Sequence, residues 1–259
     1  MKVELNGVAF ITGAGSGIGA STAYKFAQCG IYGLSLVDIN VSAIDSLIPK
    51  IAEDFPDVIF FVQHIDVADE SSVETAVQNT VAKFGHIDIA IHAAGIGDSG
   101  KPTHELSLEI WQRMIDINQT GLWLCERAVI RQMLQQQSGG KRLGRGVIVN
   151  VSSSLGQAAA SHAFFPSYTA AKHGRKNVRC RRDQDKCGLS RVSYIIIWTR
   201  TPMIEDNIED PLMKQEIGSA ASRRVGEVDE VVDTILFLAS PMSSFIYGAG
   251  LVVDGGYNL

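Results

Sequence analysis

The sequence predicts an α/β fold in which a doubly wound, parallel β-sheet of about seven strands has helices on both faces. Three observations lead to this prediction. Short runs of Val, Ile, Leu and Phe recur along the chain, and their near-continuous apolar character is typical of strands buried on both faces. Amphipathic stretches of helical length separate these runs, which favours right-handed βαβ units. A glycine cluster, Gly13 to Gly19, lies between the first strand and the first helix.

The predicted elements alternate along the whole chain. Asp69 and Ser107 each precede a helix as N-caps, since their side-chain oxygens can accept from the first helical amides. We find no linker and no internal repeat, so one domain spanning residues 1–259 is expected. The predicted strands are 8–12, 34–38, 58–66, 87–93, 146–152, 192–197 and 251–254, and the predicted helices are 18–29, 41–55, 71–84, 108–136 and 228–240.

Composition limits the possible partners and compartments. The net charge of −5 makes nucleic acid an unfavourable general partner. The four cysteines, Cys29, Cys125, Cys180 and Cys187, form no Cys-x-x-Cys pair, so reduced thiols in a cytoplasmic protein are expected. No signal peptide and no apolar run long enough to cross a membrane is recognised, so no membrane association is predicted.

The glycine cluster predicts a dinucleotide-binding turn. Gly13, Gly17 and Gly19 permit a tight turn, and they let backbone amides approach a pyrophosphate. The positive N-terminus of the following helix adds to this attraction. A lone glycine cluster is weak evidence, but this one follows a strand and opens a helix. The sheet is therefore expected to be of the Rossmann type.

Asp38 ends the second predicted strand, about 20 residues beyond the glycine turn. An acidic residue at this position accepts hydrogen bonds from the adenosine ribose and repels a 2′-phosphate. NAD(H) is therefore the predicted cofactor, with NADP less favoured. The alternative is that Asp38 only caps the next turn, which is a common place for aspartate.

A second constellation supplies proton chemistry. Tyr168 and Lys172 form a Tyr-x-x-x-Lys unit, and Ser153 lies a short way before it. Residues four apart on a helix share one face, so the phenol and the ammonium are expected to be neighbours. A hydride carrier together with a proton carrier is suited to interconverting an alcohol and a carbonyl.

With these motifs in order, the chain resembles the short-chain dehydrogenase/reductase family in its compact, single-domain form. The resemblance covers nearly the whole length. The matching segments are Thr12–Gly19 (TGxxxGxG), Asp66-Val67, His92-Ala93-Ala94-Gly95 in the place of NNAG, Trp111 to Asn118, Ser153 to Gly156, Tyr168-x-x-x-Lys172, and Val252-Val253-Asp254-Gly255-Gly256 (VDGG).

The resemblance implies a role for each of four catalytic residues. Tyr168 is implied as the general acid/base, with its phenol pKa lowered from about 10 by the Lys172 cation. Lys172 also bonds the nicotinamide ribose, Ser153 bonds the substrate oxygen, and Asn118 holds a water that links Lys172 to solvent. Ser153 is chosen from three consecutive serines because Gly156 sets the family register.

The resemblance also implies a cofactor-binding set, and the spacing of possible ligands predicts no metal site. His92 replaces an asparagine, and we expect a tolerated variation because imidazole still forms hydrogen bonds and no ligand partner stands at metal-binding spacing. The implied cofactor residues are Gly13, Ser16, Gly17, Ile18, Gly19, Asp38, Asp66, Val67, His92, Ala93, Gly95, Tyr168, Lys172 and Thr201.

The sequence departs from the family after Lys172, over residues 174–198. Residues 175–187 are rich in charged side chains and lack the apolar stripe of a buried helix, and Trp198 stands near the place of the family's Pro-Gly turn. Three interpretations stay open: local scrambling of the coding sequence, a basic patch for an anionic group, or a solvated charged face. The resemblance implies a homodimer or homotetramer, whereas this stretch argues against the usual helix contact between subunits.

Residues 202–222 resemble the family's substrate lid, with apolar side chains available to close over a ligand. The predicted function is an NAD(H)-dependent oxidoreductase that interconverts a small or medium hydrophobic secondary alcohol and its ketone. The alternative is a catalytically impaired dinucleotide-binding relative, a scaffold or redox sensor, because of the anomalous 174–198 region.

Overall fold

The structure is a computed structural model that describes residues 3–98, 100–140, 144–157, 165–174, 191–197, 199–201, 203 and 208–259. Residues 175–187 and Trp198, whose interpretations come from the sequence, lie outside these described ranges. Seven described strands form one parallel sheet in the order β3-β2-β1-β4-β5-β6-β7. They are β1 (Val8–Thr12), β2 (Gly33–Asp38), β3 (Ile59–His64), β4 (Ile89–His92), β5 (Val147–Val151), β6 (Arg191–Ile197) and β7 (Gly250–Val253).

The parallel α/β architecture confirms the predicted fold class, and every predicted strand is present within a few residues. Asp69 and Ser107 are N-caps as predicted, accepting from the amides of Ser71 and Ile110. The described α-helices are α1 (Gly17–Gln28), α2 (Val41–Asp54), α3 (Glu70–Phe84), α4 (Leu108–Ile115), α5 (Leu122–Gln135), α6 (Pro166–Gly174), α7 (Pro211–Ser219) and α8 (Val228–Ala239).

The predicted helix 108–136 is not continuous. A π-helical segment, Asp116–Gly121, separates α4 from α5. A π-turn inserts an extra residue and is often found at functional sites. Here it carries Asn118, which is buried. At the end of this segment the backbone packs closely on the loop after β3, since a Cβ added to Gly121 would lie 2.9 Å from the carbonyl oxygen of Val67.

Two apolar cores cover the sheet, one on each face, because successive strand residues point in opposite directions. Ile11 of β1 belongs to the core that contains Phe26 of α1 and Ile235 of α8. Its neighbour Phe10 belongs to the opposite core, with Val129 of α5. No helix within the described part of the chain has the length and apolar character needed to cross a membrane.

The strand order reverses between β1 and β4. These strands are paired in the middle of the sheet, with Thr12 opposite His92. From β1 the chain continues to β2 and β3 on one side of the sheet, and from β4 it continues to β5, β6 and β7 on the other side. Such a switch point leaves a crevice at the carboxyl ends of the strands, which is where ligands bind in open α/β sheets. The turns after β1 and β4 meet closely there. A Cβ added to Gly13 would lie 2.7 Å from the Ala94 amide nitrogen.

Helix α7 was missed by the sequence prediction of elements. Its nine residues, Pro211–Ser219, lie within the segment that was interpreted as a lid. Among the described residues Cys29 and Cys125 are reduced cysteines, as expected, whereas Cys180 and Cys187 lie outside the described ranges. Burial raises the pKa of the Cys125 thiol to about 12.

Candidate active site

A cleft of about 350 Å³ opens at the switch point of the sheet. Residues from the glycine turn, from the loops after β2, β3, β4 and β5, from α6 and from α7 all contribute to its wall. Of the predicted site residues, those that line it are Gly13, Ser16, Gly17, Ile18, Gly19, Asp38, Asp66, Val67, Ala93, Gly95, Ser153, Tyr168, Lys172 and Thr201.

The glycine turn has the conformation that the sequence predicted. Gly13 and Gly17 have φ of +70° and +50°, values in the left-handed region where a side chain is strained. Helix α1 then starts at Gly17 with no acidic residue in its first turn, so its positive end is not neutralised from within. This turn is therefore suited to an anionic group such as a pyrophosphate.

Asp38 is fixed at the rim of the same turn. Its carboxylate accepts hydrogen bonds from the amides of Gly15 and Asn40, each at 2.9 Å. A Cβ on residue 15 would lie 3.1 Å from the Asp38 Oδ2 atom, so glycine permits this close approach. The turn, the uncompensated helix start and the fixed carboxylate together fit a nicotinamide dinucleotide.

Helix α6 brings Tyr168 and Lys172 together. The Lys172 Nζ atom lies 5.0 Å from the centroid of the Tyr168 ring, and the lysine side chain is buried. Ser153 follows β5, and its Oγ atom accepts from the Leu155 amide at 3.2 Å. All three residues line the cleft.

Asn118 lies behind the cleft wall. Its side chain forms two hydrogen bonds with the backbone of Ile96, accepting from the amide at 3.2 Å and donating to the carbonyl at 3.0 Å. A Cβ on Gly95 would lie 2.6 Å from the Asn118 Oδ1 atom and 3.9 Å from the Lys172 Nζ atom. Asn118 and Lys172 therefore approach the same glycine. The predicted water relay stays a prediction.

His92 is buried beneath this loop, where its backbone pairs with Thr12 on one side and Asn150 on the other. It is not among the described residues that line the cleft, so its predicted contact with a cofactor stays a prediction. Within the described ranges no cluster of three His, Cys, Asp or Glu side chains could hold a metal ion.

Sequence reasoning missed Asp98. Its carboxylate lines the cleft and accepts from the Ser167 hydroxyl at 2.7 Å and from the Tyr168 amide at 2.9 Å. The aspartate lies 70 residues before Tyr168, so no local spacing pattern marks it. The only available signal was its position just beyond a strand that ends at the switch point.

Two methionines from the segment interpreted as a lid lie in the cleft wall: Met213 was among the apolar side chains expected to close over a ligand, whereas Met203 was missed. Met203 and Met213 line the cleft, and Met203 packs so closely on Gly97 that an added Cβ would lie 2.9 Å from its Cγ atom. One turn after Met213, the Glu216 carboxylate accepts a hydrogen bond of 2.6 Å from the Tyr257 hydroxyl. Burial, together with this bond, raises the pKa of Tyr257.

Comparisons with known proteins agree with this geometry. A family model described as enoyl-(acyl carrier protein) reductase matches residues 13–258. A cis-4-hydroxycyclohexanecarboxylate dehydrogenase of Sinomonas cyclohexanicum is 36% identical over 256 residues, which cover 96% of each chain. A cyclohexanol dehydrogenase of Acinetobacter sp. (strain SE19) is 33% identical over 256 residues, covering 97% of this chain and 95% of the other.

Among solved structures, the crystal structure of levodione reductase superimposes with a TM-score of 0.85 at 29% identity and covers 96% of both chains. Several curated relatives that align over almost their whole length are named as short-chain dehydrogenases. One of them is from Penicillium roqueforti. Members of this group bind nicotinamide dinucleotides and act as oxidoreductases. The chain belongs to the short-chain dehydrogenase/reductase family.

Proposed function

We propose that this protein is an NAD(H)-dependent oxidoreductase that interconverts a secondary alcohol and a ketone on a six-membered carbon ring, with Tyr168 as the general acid/base. The observation that carries the proposal is the placement of the Lys172 ammonium 5.0 Å from the Tyr168 ring centroid in a cleft that begins at a glycine turn. Ser153 lines the same cleft.

The residues divide the chemistry as follows. When bound, NADH supplies the hydride that reduces the carbonyl carbon. The carbonyl oxygen gains the proton of the Tyr168 hydroxyl, so the ketone becomes an alcohol and Tyr168 becomes a phenolate. Lys172 stabilises that phenolate, and the Ser153 hydroxyl donates to the substrate oxygen as charge develops on it. A proton from solvent then returns to Tyr168 through Lys172 and the water that Asn118 is proposed to hold. Oxidation of the alcohol follows the reverse order.

The preference for NAD(H) over NADP(H) rests on Asp38. Its carboxylate is held in place by two backbone amides beside the glycine turn, where an adenosine ribose would lie. A 2′-phosphate would be repelled by this fixed negative charge. Asp66 and Val67 are proposed for the adenine side of the cleft, and Thr201 for the nicotinamide side.

The substrate class rests on the relatives and on the cleft wall. Two relatives, which are 36% and 33% identical to this chain, are named for alcohols on a cyclohexane ring. The described cleft wall contains several apolar side chains suited to a compact hydrocarbon ring. They are Ile96, Leu155, Phe165, Met203 and Met213.

The test is an oxidation assay of the purified chain with NAD⁺ or NADP⁺. We expect turnover of cyclohexanol and of cis-4-hydroxycyclohexanecarboxylate with NAD⁺, and much slower turnover of an open-chain alcohol such as hexan-2-ol. The Tyr168→Phe variant is the matched control, because it should lose turnover and still bind NADH. Wild-type binding of NADH without turnover of any alcohol or ketone would instead support the impaired, scaffold-type alternative.

A second substrate separates carbonyl reduction from the enoyl reduction named in the family model. Cyclohex-2-enone carries both a C=O and a C=C bond. We expect NADH to yield cyclohex-2-enol, because Tyr168 and Ser153 are placed to act on an oxygen atom. Formation of cyclohexanone as the first product would contradict the proposed reaction.

A further inference from the structure

The loop after β4, residues 95–98, is tied to the rest of the site at two points. At Ile96, the backbone amide and carbonyl both bond the Asn118 side chain. Two residues later, the Asp98 carboxylate bonds the start of α6 through the Ser167 hydroxyl and the Tyr168 amide. One short loop therefore connects the π-helical segment to the helix that carries Tyr168.

The bond to the Tyr168 amide has a clear physical reason. The first amides of a helix have no acceptor within the helix itself, and α6 begins at Pro166. Pro166 has no N–H, so Ser167 and Tyr168 provide the first amides of α6. Asp98 supplies an acceptor for the Tyr168 amide and also for the hydroxyl of Ser167, which is buried. Its negative charge also suits the positive end of the helix.

This cap is unusual because it comes from a distant part of the chain. N-caps are ordinarily provided by the residue that precedes the helix. Here the capping carboxylate lies 70 residues away, and it lines the cleft together with Tyr168. The cap thus fixes the first turn of α6 relative to the cleft wall, and that turn carries the phenol. Lys172 lies one turn further on.

We infer that Asp98 is a positioning residue for Tyr168: by capping the first turn of α6 across the cleft, it holds the phenol in its working place. The inference rests on the proposed function of Tyr168. It does not require Asp98 to touch the substrate. Because the hydrogen bonds need an acceptor rather than a charge, an amide oxygen at the same position should serve almost as well.

The first experiment compares Asp98→Ala and Asp98→Asn with the wild type in steady-state assays with cyclohexanol and NAD⁺. In Asp98→Ala the first turn of α6 loses its acceptor, so kcat should fall about 10- to 100-fold, the scale expected for a small misplacement of a catalytic group. The dissociation constant for NADH should stay within about twofold, because the glycine turn is unchanged. Asp98→Asn should restore most of kcat.

The matched control is Asp88→Ala. Asp88 lies just before β4 and its carboxylate likewise accepts from a distant backbone amide, that of Val8 at 2.8 Å. Asp88 is at the opposite end of the strand from the cleft. Its loss should lower the melting temperature without lowering kcat at temperatures where the protein is folded. An equal fall in kcat for Asp88→Ala and Asp98→Ala would overturn the inference, as would wild-type kcat in Asp98→Ala or failure of Asp98→Asn to restore it.

Hydrogen exchange separates this inference from the proposed function. Exchange of a peptide covering residues 166–174 should be faster in Asp98→Ala than in the wild type, Asp98→Asn or Asp88→Ala, whether or not the protein turns over any alcohol. Faster exchange without wild-type turnover would keep the cap and reject the proposed function. Unchanged exchange in Asp98→Ala would reject the cap itself.

Discussion

The Lys172 ammonium lies 5.0 Å from the centroid of the Tyr168 ring, on the same face of α6 and one turn further along. A Tyr-x-x-x-Lys unit on a helix brings the two side chains together through the helical repeat alone. The structure adds what the repeat could not give, which is burial of the lysine and a shared cleft wall with Ser153.

Replacing Lys172 by methionine should affect both turnover and binding. Methionine keeps an unbranched apolar stem but removes the cation that is proposed to favour the phenolate and to bond the nicotinamide ribose. We expect a loss of kcat of at least about 100-fold and a weaker NADH complex, measured by fluorescence titration. Tyr168→Phe provides the comparison, since it should lose turnover but keep NADH affinity. Equal NADH affinity in the wild type and Lys172→Met would contradict the proposed role in ribose binding.

Replacing Asp38 by asparagine should relax the choice between cofactors. The variant keeps one oxygen near the Gly15 amide and removes the negative charge, so the ratio of NADPH to NADH dissociation constants should fall about tenfold, or about 1.4 kcal/mol. Fluorescence titrations with both cofactors measure this ratio. Asp66→Asn is a suitable control, because Asp66 lines the cleft in the part proposed for adenine. A ratio that changes equally in both variants would contradict the assignment of Asp38.

The parts of the fold that follow from local pattern could be predicted from sequence. The seven strands and the glycine turn are examples, since apolar runs and glycine spacing are visible in the chain itself. The π-helical segment around Asn118 could not be predicted, because its residues continue an ordinary helical pattern. Only tertiary bonds such as those between Asn118 and Ile96 show the need for it.

The same division applies to the site: residues close in sequence could be predicted as neighbours, and residues that only the fold brings together could not. Tyr168 and Lys172 are close in sequence, whereas Asp98 meets Tyr168 across 70 residues and only the parallel sheet brings them together. Met203 was hidden for another reason. It has no distinctive spacing in the sequence, and its place in the cleft depends on its packing against Gly97.

Replacing Gly13 by alanine should damage the site by crowding. Gly13 and Gly85 both have positive φ, +70° and +86°, so alanine is strained at either position. Of the two positions, only Gly13 would place the added Cβ against backbone, 2.7 Å from the Ala94 nitrogen, while at Gly85 no atom of the described residues lies within 4 Å. We therefore expect Gly13→Ala to lose NADH binding by more than about tenfold, and Gly85→Ala only to lower stability by about 1 kcal/mol. Similar NADH affinity in the two variants would show that the turn can relax.

Replacing Tyr257 by phenylalanine should alter substrate binding through α7. The Tyr257 hydroxyl donates to the buried Glu216 carboxylate at 2.6 Å, and Glu216 lies one turn after Met213 of the cleft wall. Hydrogen bonds to a charged group contribute about 1.5–3 kcal/mol, so its loss should loosen this helix. We expect KM for cyclohexanol to rise about 3- to 10-fold while NADH affinity is unchanged, because the glycine turn lies elsewhere.

The control for this prediction is Tyr24→Phe. Tyr24 also donates its hydroxyl to a carboxylate, that of Asp54 at 2.8 Å, but this pair joins α1 to the end of α2. Neither Tyr24 nor Asp54 is among the described residues of the cleft wall. The substrate KM should therefore stay at its wild-type value in Tyr24→Phe. An unchanged KM in Tyr257→Phe as well would mean that the Tyr257–Glu216 bond stabilises the protein without shaping the substrate side of the cleft.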